Sequence, residues 1–69
     1  MNKLREFMDR HKLSSYQAAR LLGLSQSKAY RRSRKETAGE QIDESLRVFG
    51  MLPEDVQQLK INNAKGREQ

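Results

Sequence analysis

Five of the eight residues from Lys28 to Lys35 are basic: Lys28, Arg31, Arg32, Arg34 and Lys35. Guanidinium and ammonium groups are donors without acceptors, and clustered on a short segment they are suited to anionic oxygens such as those of phosphates. The acids lie elsewhere, with four between Glu36 and Glu44 and no base among them. Across the chain, fourteen Lys and Arg against nine Asp and Glu leave a formal net charge of +5. A basic domain gains affinity for a polyanion because neutralising phosphates releases condensed counterions. A Lys/Arg run is also an ordinary way to solvate a helix face, so its placement has to decide between the two.

Other chemistries find little footing. There are no cysteines and one histidine, so neither a disulfide nor a zinc site is expected. A glycine-rich phosphate loop, paired carboxylates in an apolar setting and a nucleophile with a base partner are all missing from the sequence. The expectation is a protein that is not an enzyme, with no cofactor and no small-molecule substrate. His11 reads as a helix-end residue interacting with the carboxyl-terminal dipole. No apolar run approaches the ~20 residues of a membrane span. The start, Met1-Asn2-Lys3-Leu4-Arg5-Glu6, lacks a signal peptide's apolar stretch. No membrane association and a cytoplasmic location are therefore expected, and a cysteine-free chain fits the latter.

Sixty-nine residues make one domain, and a chain this short buries only roughly 60% of its unfolded surface. Five helical segments can be read. In the first, Leu4, Phe7, Met8 and His11 fall at i, i+3, i+4, i+7. The second opens at Ser14 with a capping-box pattern ending in Gln17, and Gly23 supplies its left-handed stop. The third starts from a cap at Ser25 and runs to about Lys35. The fourth follows a second capping box, Thr37-Ala38-Gly39-Glu40, and carries Ile42, Leu46 and Phe49 up to Gly50. The fifth begins at Pro53 and uses Val56, Leu59 and Ile61. No run alternates as a strand would. The fold class is all-α, a compact bundle of about five short helices, with a domain over 1–63 and a polar tail over 64–69. Leu4, Phe7, Leu22, Ile42, Leu46 and Phe49 are the expected core.

The basic run belongs to the stretch Ser15 to Arg32. Here Ala19 stands four residues before Gly23, and Leu24-Ser25-Gln26-Ser27 leads into the basic helix. Two helices joined by a tight turn need a small residue where they approach and a positive φ between them. The pattern resembles the helix-turn-helix of phage Cro and repressor proteins and their bacterial relatives. The likeness covers roughly residues 4–60, including a phrase such as Phe49-Gly50-Met51-Leu52-Pro53-Glu54-Asp55-Val56 before the last helix. It implies double-stranded DNA as partner, homodimers on two-fold sites, and transcriptional regulation. Relatives carry a branched apolar residue where Ala29 stands and another near Arg32. Either Arg32 bends its stem away toward solvent or phosphate, or Tyr30 supplies the missing packing.

On the recognition helix 25–35, Gln26, Ser27, Tyr30, Arg31 and Arg34 share an outward stripe and are the candidates to read base edges. Lys28, Arg32 and Lys35 flank it as phosphate contacts, joined by Ser14 and Ser15 at the amino end of the second helix. The apolar residues Met51, Val56, Leu59 and Ile61 are the expected dimer contact. The leading expectation is a sequence-specific repressor bound as a homodimer to a palindromic operator. The competing one is a protein-interaction module, such as an antitoxin or small inhibitor, working through helices four and five. RNA binding through the basic helix is a third reading, mildly opposed by the presence of only four aromatic residues for stacking.

Overall fold

A computed structural model of the chain describes residues 1–66 as five α-helices: α1 Lys3–His11, α2 Ser15–Leu22, α3 Gln26–Ser33, α4 Glu40–Gly50 and α5 Glu54–Gly66. There is no strand among the described residues. Among the described residues no helix is long and apolar enough to cross a membrane.

Local chemistry sets most of the boundaries. The Ser14 hydroxyl accepts from the Gln17 amide at 3.1 Å while Gln17 Oε1 accepts from the Ser14 amide at 2.8 Å, completing the expected capping box. Ser25 Oγ accepts from the Lys28 amide at 3.1 Å and caps α3. α1 and α2 close alike: Lys12 (φ 57) and Gly23 (φ 74) turn left-handed, and the next amide reaches back five residues. Those bonds, Leu13 to the Met8 carbonyl and Leu24 to the Ala19 carbonyl, are 2.8 Å each. The turn then drops Leu13 and Leu24 into the apolar interior.

The fourth helix begins differently from the expected capping box. Thr37 is exposed, the N-cap is Gly39, and no side chain caps α4. Gly39 takes φ 95, a conformation that side-chain-bearing residues rarely adopt, and a Cβ there would lie 3.4 Å from Arg32 Nη1. The bend this allows buries Ala38, 1% exposed, and Glu40 and Asp43 complement the positive helix end instead. At the far end, Gln57 Nε2 donates to the Gly50 and Leu52 carbonyls at 3.1 and 2.8 Å, tying α5 to the connection before it.

Two apolar clusters form the core. Leu4, Ala18, Ala38 and Ile42 make one, and Leu13, Phe49 and Ile61 the other; Met8 and Leu22 pack against both and join them. Phe7 stands edge-on to Phe49, with ring centroids 5.6 Å apart. Leu4, Ile42 and Phe49 are buried as expected, whereas Phe7, Leu22 and Leu46 are half-buried. Two sequence readings are corrected here. Ile61, expected in a dimer contact, is 2% exposed and belongs to the core, because α5 lays it against Leu13 and Phe49. The polar tail does not start at residue 64: α5 continues to Gly66 and Ala64 is buried, while 67–69 lie outside the described residues.

His11 closes α1, the helix-end position expected, but in a different electrostatic setting. Its ring packs on Phe7 at 4.8 Å, and partial burial, followed by the charges of Arg10 and Lys65, lowers its pKa below the ordinary histidine value. These surroundings favour the neutral ring, whereas the dipole contact expected from sequence would favour the charged one.

Gly23 permits an isolated test of the α2–α3 turn. Nothing lies within 4 Å of where its Cβ would stand, so a substitution meets backbone strain and no clash. Gly23→Val is expected to lower stability by about 1–3 kcal/mol, the cost of holding a β-branched residue at positive φ. A denaturant midpoint equal to wild type would show that the turn does not require this conformation.

Candidate nucleic-acid interface

The two faces of α3 have opposite character. Ala29 is fully buried and Ser33, one turn on, is 8% exposed. Gln26, Ser27, Tyr30, Arg31 and Arg34 are all exposed, so the whole stripe read from the sequence is open to solvent. The absence of branched residues at the inner positions has a packing answer. Small side chains at Ala29 and Ser33 let the helix backbone sit close to its neighbours, so no large anchor is needed. Tyr30 does not fill the space: it is 53% exposed, and the Arg34 guanidinium lies 5.6 Å from its ring centroid.

The helix ends at Ser33, two residues before the expected Lys35. Ser33 Oγ donates to the Tyr30 carbonyl at 2.8 Å, and the amides of Arg34 and Lys35 donate to the Arg31 and Arg32 carbonyls at 3.2 Å each. Arg34 and Lys35 therefore project from the helix end and the residue beyond it, not from a continuing helical face.

Ser15 joins this surface from α2. Together with Gln26, Ser27, Tyr30 and Arg31 it lines one shallow hollow. An adjoining hollow is lined by Arg5, Met8, Asp9, Ser15, Tyr30, Ser33 and Arg34. Arg5 was missed by the sequence reading. It lies on α1, outside the basic run, and only the packing of α1 beside α3 brings it to the same surface. Asp9 stands in the second hollow as well and partly offsets its positive charge.

No known protein family, curated protein or solved structure matches the chain. The chemistry of the surface thus rests on its own geometry.

The flanking cations are not equivalent. Lys35 is exposed. Lys28 is half-buried, and its ammonium donates to Gln41 Oε1 of α4 at 3.0 Å. Arg32 is half-buried too, with its guanidinium drawn over Gly39, so it spans the α3–α4 connection. Ser14 is exposed, but its hydroxyl oxygen and amide are engaged in the capping box. Ser15 stands at the first turn of α2, where backbone amides have no partner within the helix. The resulting face presents guanidinium, amide and hydroxyl donors around an exposed tyrosine. Such a set can engage anionic oxygens and planar hydrogen-bonding edges.

On α4, α5 and their connection, Val48, Met51 and Leu59 are 50%, 71% and 60% exposed, while Val56 is half-buried. Val48 was not among the residues expected there. Arg47 pairs with Glu44 nearby and donates to Met51 Sδ at 3.5 Å. That arginine's hydrogen bond holds Glu44 below the usual carboxylate range.

Proposed function

We propose that this chain is a sequence-specific regulator of transcription, a repressor, that binds double-stranded DNA by placing α3 in the major groove. The observation that carries this reading is the division of α3. Every residue able to read bases (Gln26, Ser27, Tyr30, Arg31, Arg34) is exposed, and the opposite face is small and buried. An α-helix with its side chains is about 10–12 Å across, which fits a groove about 12 Å wide. Glutamine matches adenine's N6 and N7, and arginine matches guanine's O6 and N7. Lys35, Ser15 and the amino end of α2 are assigned to phosphates, with Arg5 added to them; Lys28 and Arg32 need only modest movement to join. A cytoplasmic location accords with this role.

The functional unit in this reading is a homodimer on a palindromic operator. The longest dimension of the molecule is 30 Å, and it holds one such helix, so it cannot reach two successive major-groove faces roughly 34 Å apart. A second copy supplies the other half-site. The exposed Met51, Leu59 and Val48, with the half-buried Val56, are assigned to that contact.

Selection of bound duplexes from a random pool is the direct test, with a palindromic consensus expected. Gln26→Ala is expected to cost about 1–3 kcal/mol and relax preference at one base position. Lys35→Ala is expected to weaken all sequences alike and reduce the salt slope by about 1. Sedimentation should give two chains per site for wild type and one for Leu59→Glu. A pool that yields no consensus would remove sequence-specific recognition. The exposed Val48, Met51 and Leu59 also favour a second reading, a module that binds another protein through α4 and α5. A wild type that remains monomeric and unbound on every duplex would favour it.

A further inference from the structure

Asn2 lies ahead of α1, far in sequence from the basic run, and it is 9% exposed. Every polar atom of its side chain is engaged. Oδ1 accepts from the Arg5 amide at 3.0 Å and caps α1. Nδ2 donates to the Arg32 carbonyl at 2.7 Å and to the Lys35 carbonyl at 2.8 Å. The amide orientation is fixed by this network, because the flipped form would set oxygen against two carbonyls and NH2 against an N–H donor.

The carbonyls it engages lie at and just beyond the end of α3, where the Arg32 carbonyl accepts from the Lys35 amide at 3.2 Å and the Lys35 carbonyl lies past the last turn. The last carbonyls of any helix lack an intrahelical donor, and an end without partners frays. Arg32, Arg34 and Lys35 occupy this end, and Arg31 lies one residue before it. The same Asn2 side chain holds the amide of Arg5, which shares a hollow with Arg34. One residue therefore joins the first turn of α1 to the last turn of α3.

We infer that Asn2 is a positioning residue for the proposed DNA-reading surface: it clamps the carboxyl end of α3, and so fixes the register of Arg31, Arg34, Lys35 and Arg5. This inference rests on the reading of α3 as the recognition element. Its structural half, the clamp, stands apart from that reading and can be measured without DNA.

The two roles of Asn2 separate chemically. Aspartate and serine cap helices as well as asparagine does, because each keeps an oxygen acceptor for the Arg5 amide. Neither can donate two hydrogen bonds as the amide does, and ionised aspartate would set negative charge against two carbonyl oxygens. Asn2→Asp should therefore preserve α1 and release the end of α3.

The experiment is amide hydrogen exchange on the 69-residue chain carrying Asn2→Asp or Asn2→Ser, paired with titration of the selected duplex. Losing two hydrogen bonds from a helix end is expected to speed exchange at residues 34 and 35, whose amides bond the Arg31 and Arg32 carbonyls, by about tenfold or more. The amides of Ala18 to Leu22 should keep wild-type rates. Duplex affinity should fall by about tenfold. A role confined to overall stability would speed every core amide together, and that outcome overturns the clamp. So do wild-type rates at 34 and 35 in both variants. Should Asn2→Asp not fold, Asn2→Ser decides alone, since it keeps the cap without adding charge. Faster local exchange with unchanged duplex affinity keeps the clamp and removes its part in recognition. A wild type that binds no duplex fails the functional reading, while the exchange rates still decide the clamp.

Discussion

Leu4→Ala is expected to leave much of the protein unfolded at room temperature. Leu4 has no exposed surface, and with Ile42 it is one of the two largest side chains fully enclosed by the core. Its neighbours Ala18 and Ala38 are already small, so they have little side chain with which to refill the cavity. A buried leucine replaced by alanine typically costs about 2–5 kcal/mol, and the upper half of that range applies where the site cannot collapse. A single core of this size rarely supplies more than ~3–5 kcal/mol of net stability. The loss is therefore comparable to the whole. Thermal melting should show a midpoint at least roughly 10 °C lower, since each kcal/mol moves a domain of this size by about 4–8 °C. Lys60→Ala, at an exposed position of α5, serves as the control and should stay within about 0.5 kcal/mol of wild type. A Leu4→Ala protein melting alongside that control would mean that the first cluster is not where stability resides.

The double substitution Arg31→Ala with Arg34→Ala is expected to have the largest effect on DNA binding. Both arginines are exposed, Arg31 on the face of α3 that bears Gln26, Ser27 and Tyr30, and Arg34 at the end of that helix. Each base-reading arginine is assigned about 1–3 kcal/mol, so the pair should cost about 2–6 kcal/mol if the losses add. Removing Arg34 also takes the guanidinium from the Tyr30 ring, which couples the two positions through the helix surface. Lys28→Ala is the informative comparison, because that ammonium is held by Gln41 of α4 and should contribute less than Lys35. Fluorescence anisotropy with the selected duplex at one fixed salt concentration measures all three. The melting midpoint of the double variant should hardly change, as Arg31 and Arg34 are both exposed. A double variant that binds like wild type would take α3 out of the recognition surface altogether.

Much of the architecture was legible because it depends on neighbours in sequence. Ser14 with Gln17, Ser25 with the Lys28 amide, and Gly23 at φ 74 are interactions over three or four residues, and all three formed as read. The exposed stripe on α3 was legible for the same reason, since helical periodicity alone fixes which residues share a face. Where a long-range contact competed with a local pattern, the reading failed. Thr37 had the spacing of a cap, but the bend at Gly39 and the burial of Ala38 moved the start of α4 past it. Ile61 and Leu59 look alike as apolar residues of one helix, yet one is 2% and the other 60% exposed. Position relative to Leu13 and Phe49 made the difference, and these come from distant parts of the chain.

The sequence by itself determined an all-helical chain of five segments, the turn between α2 and α3, and the concentration of positive charge on α3. Each follows from backbone preferences, capping groups and periodicity acting within a few residues. Tertiary structure decided which cations remain on the exposed face and which are drawn aside. It set Lys28 on Gln41, laid Arg32 over Gly39, and brought Arg5 beside Ser15 and Arg34. It also gave Asn2 its second role, because an asparagine at a helix start has two spare donors whose partners local sequence cannot name. Long side chains reach across helices, so their partners are set by how the helices pack, and that packing is fixed only when the whole core assembles.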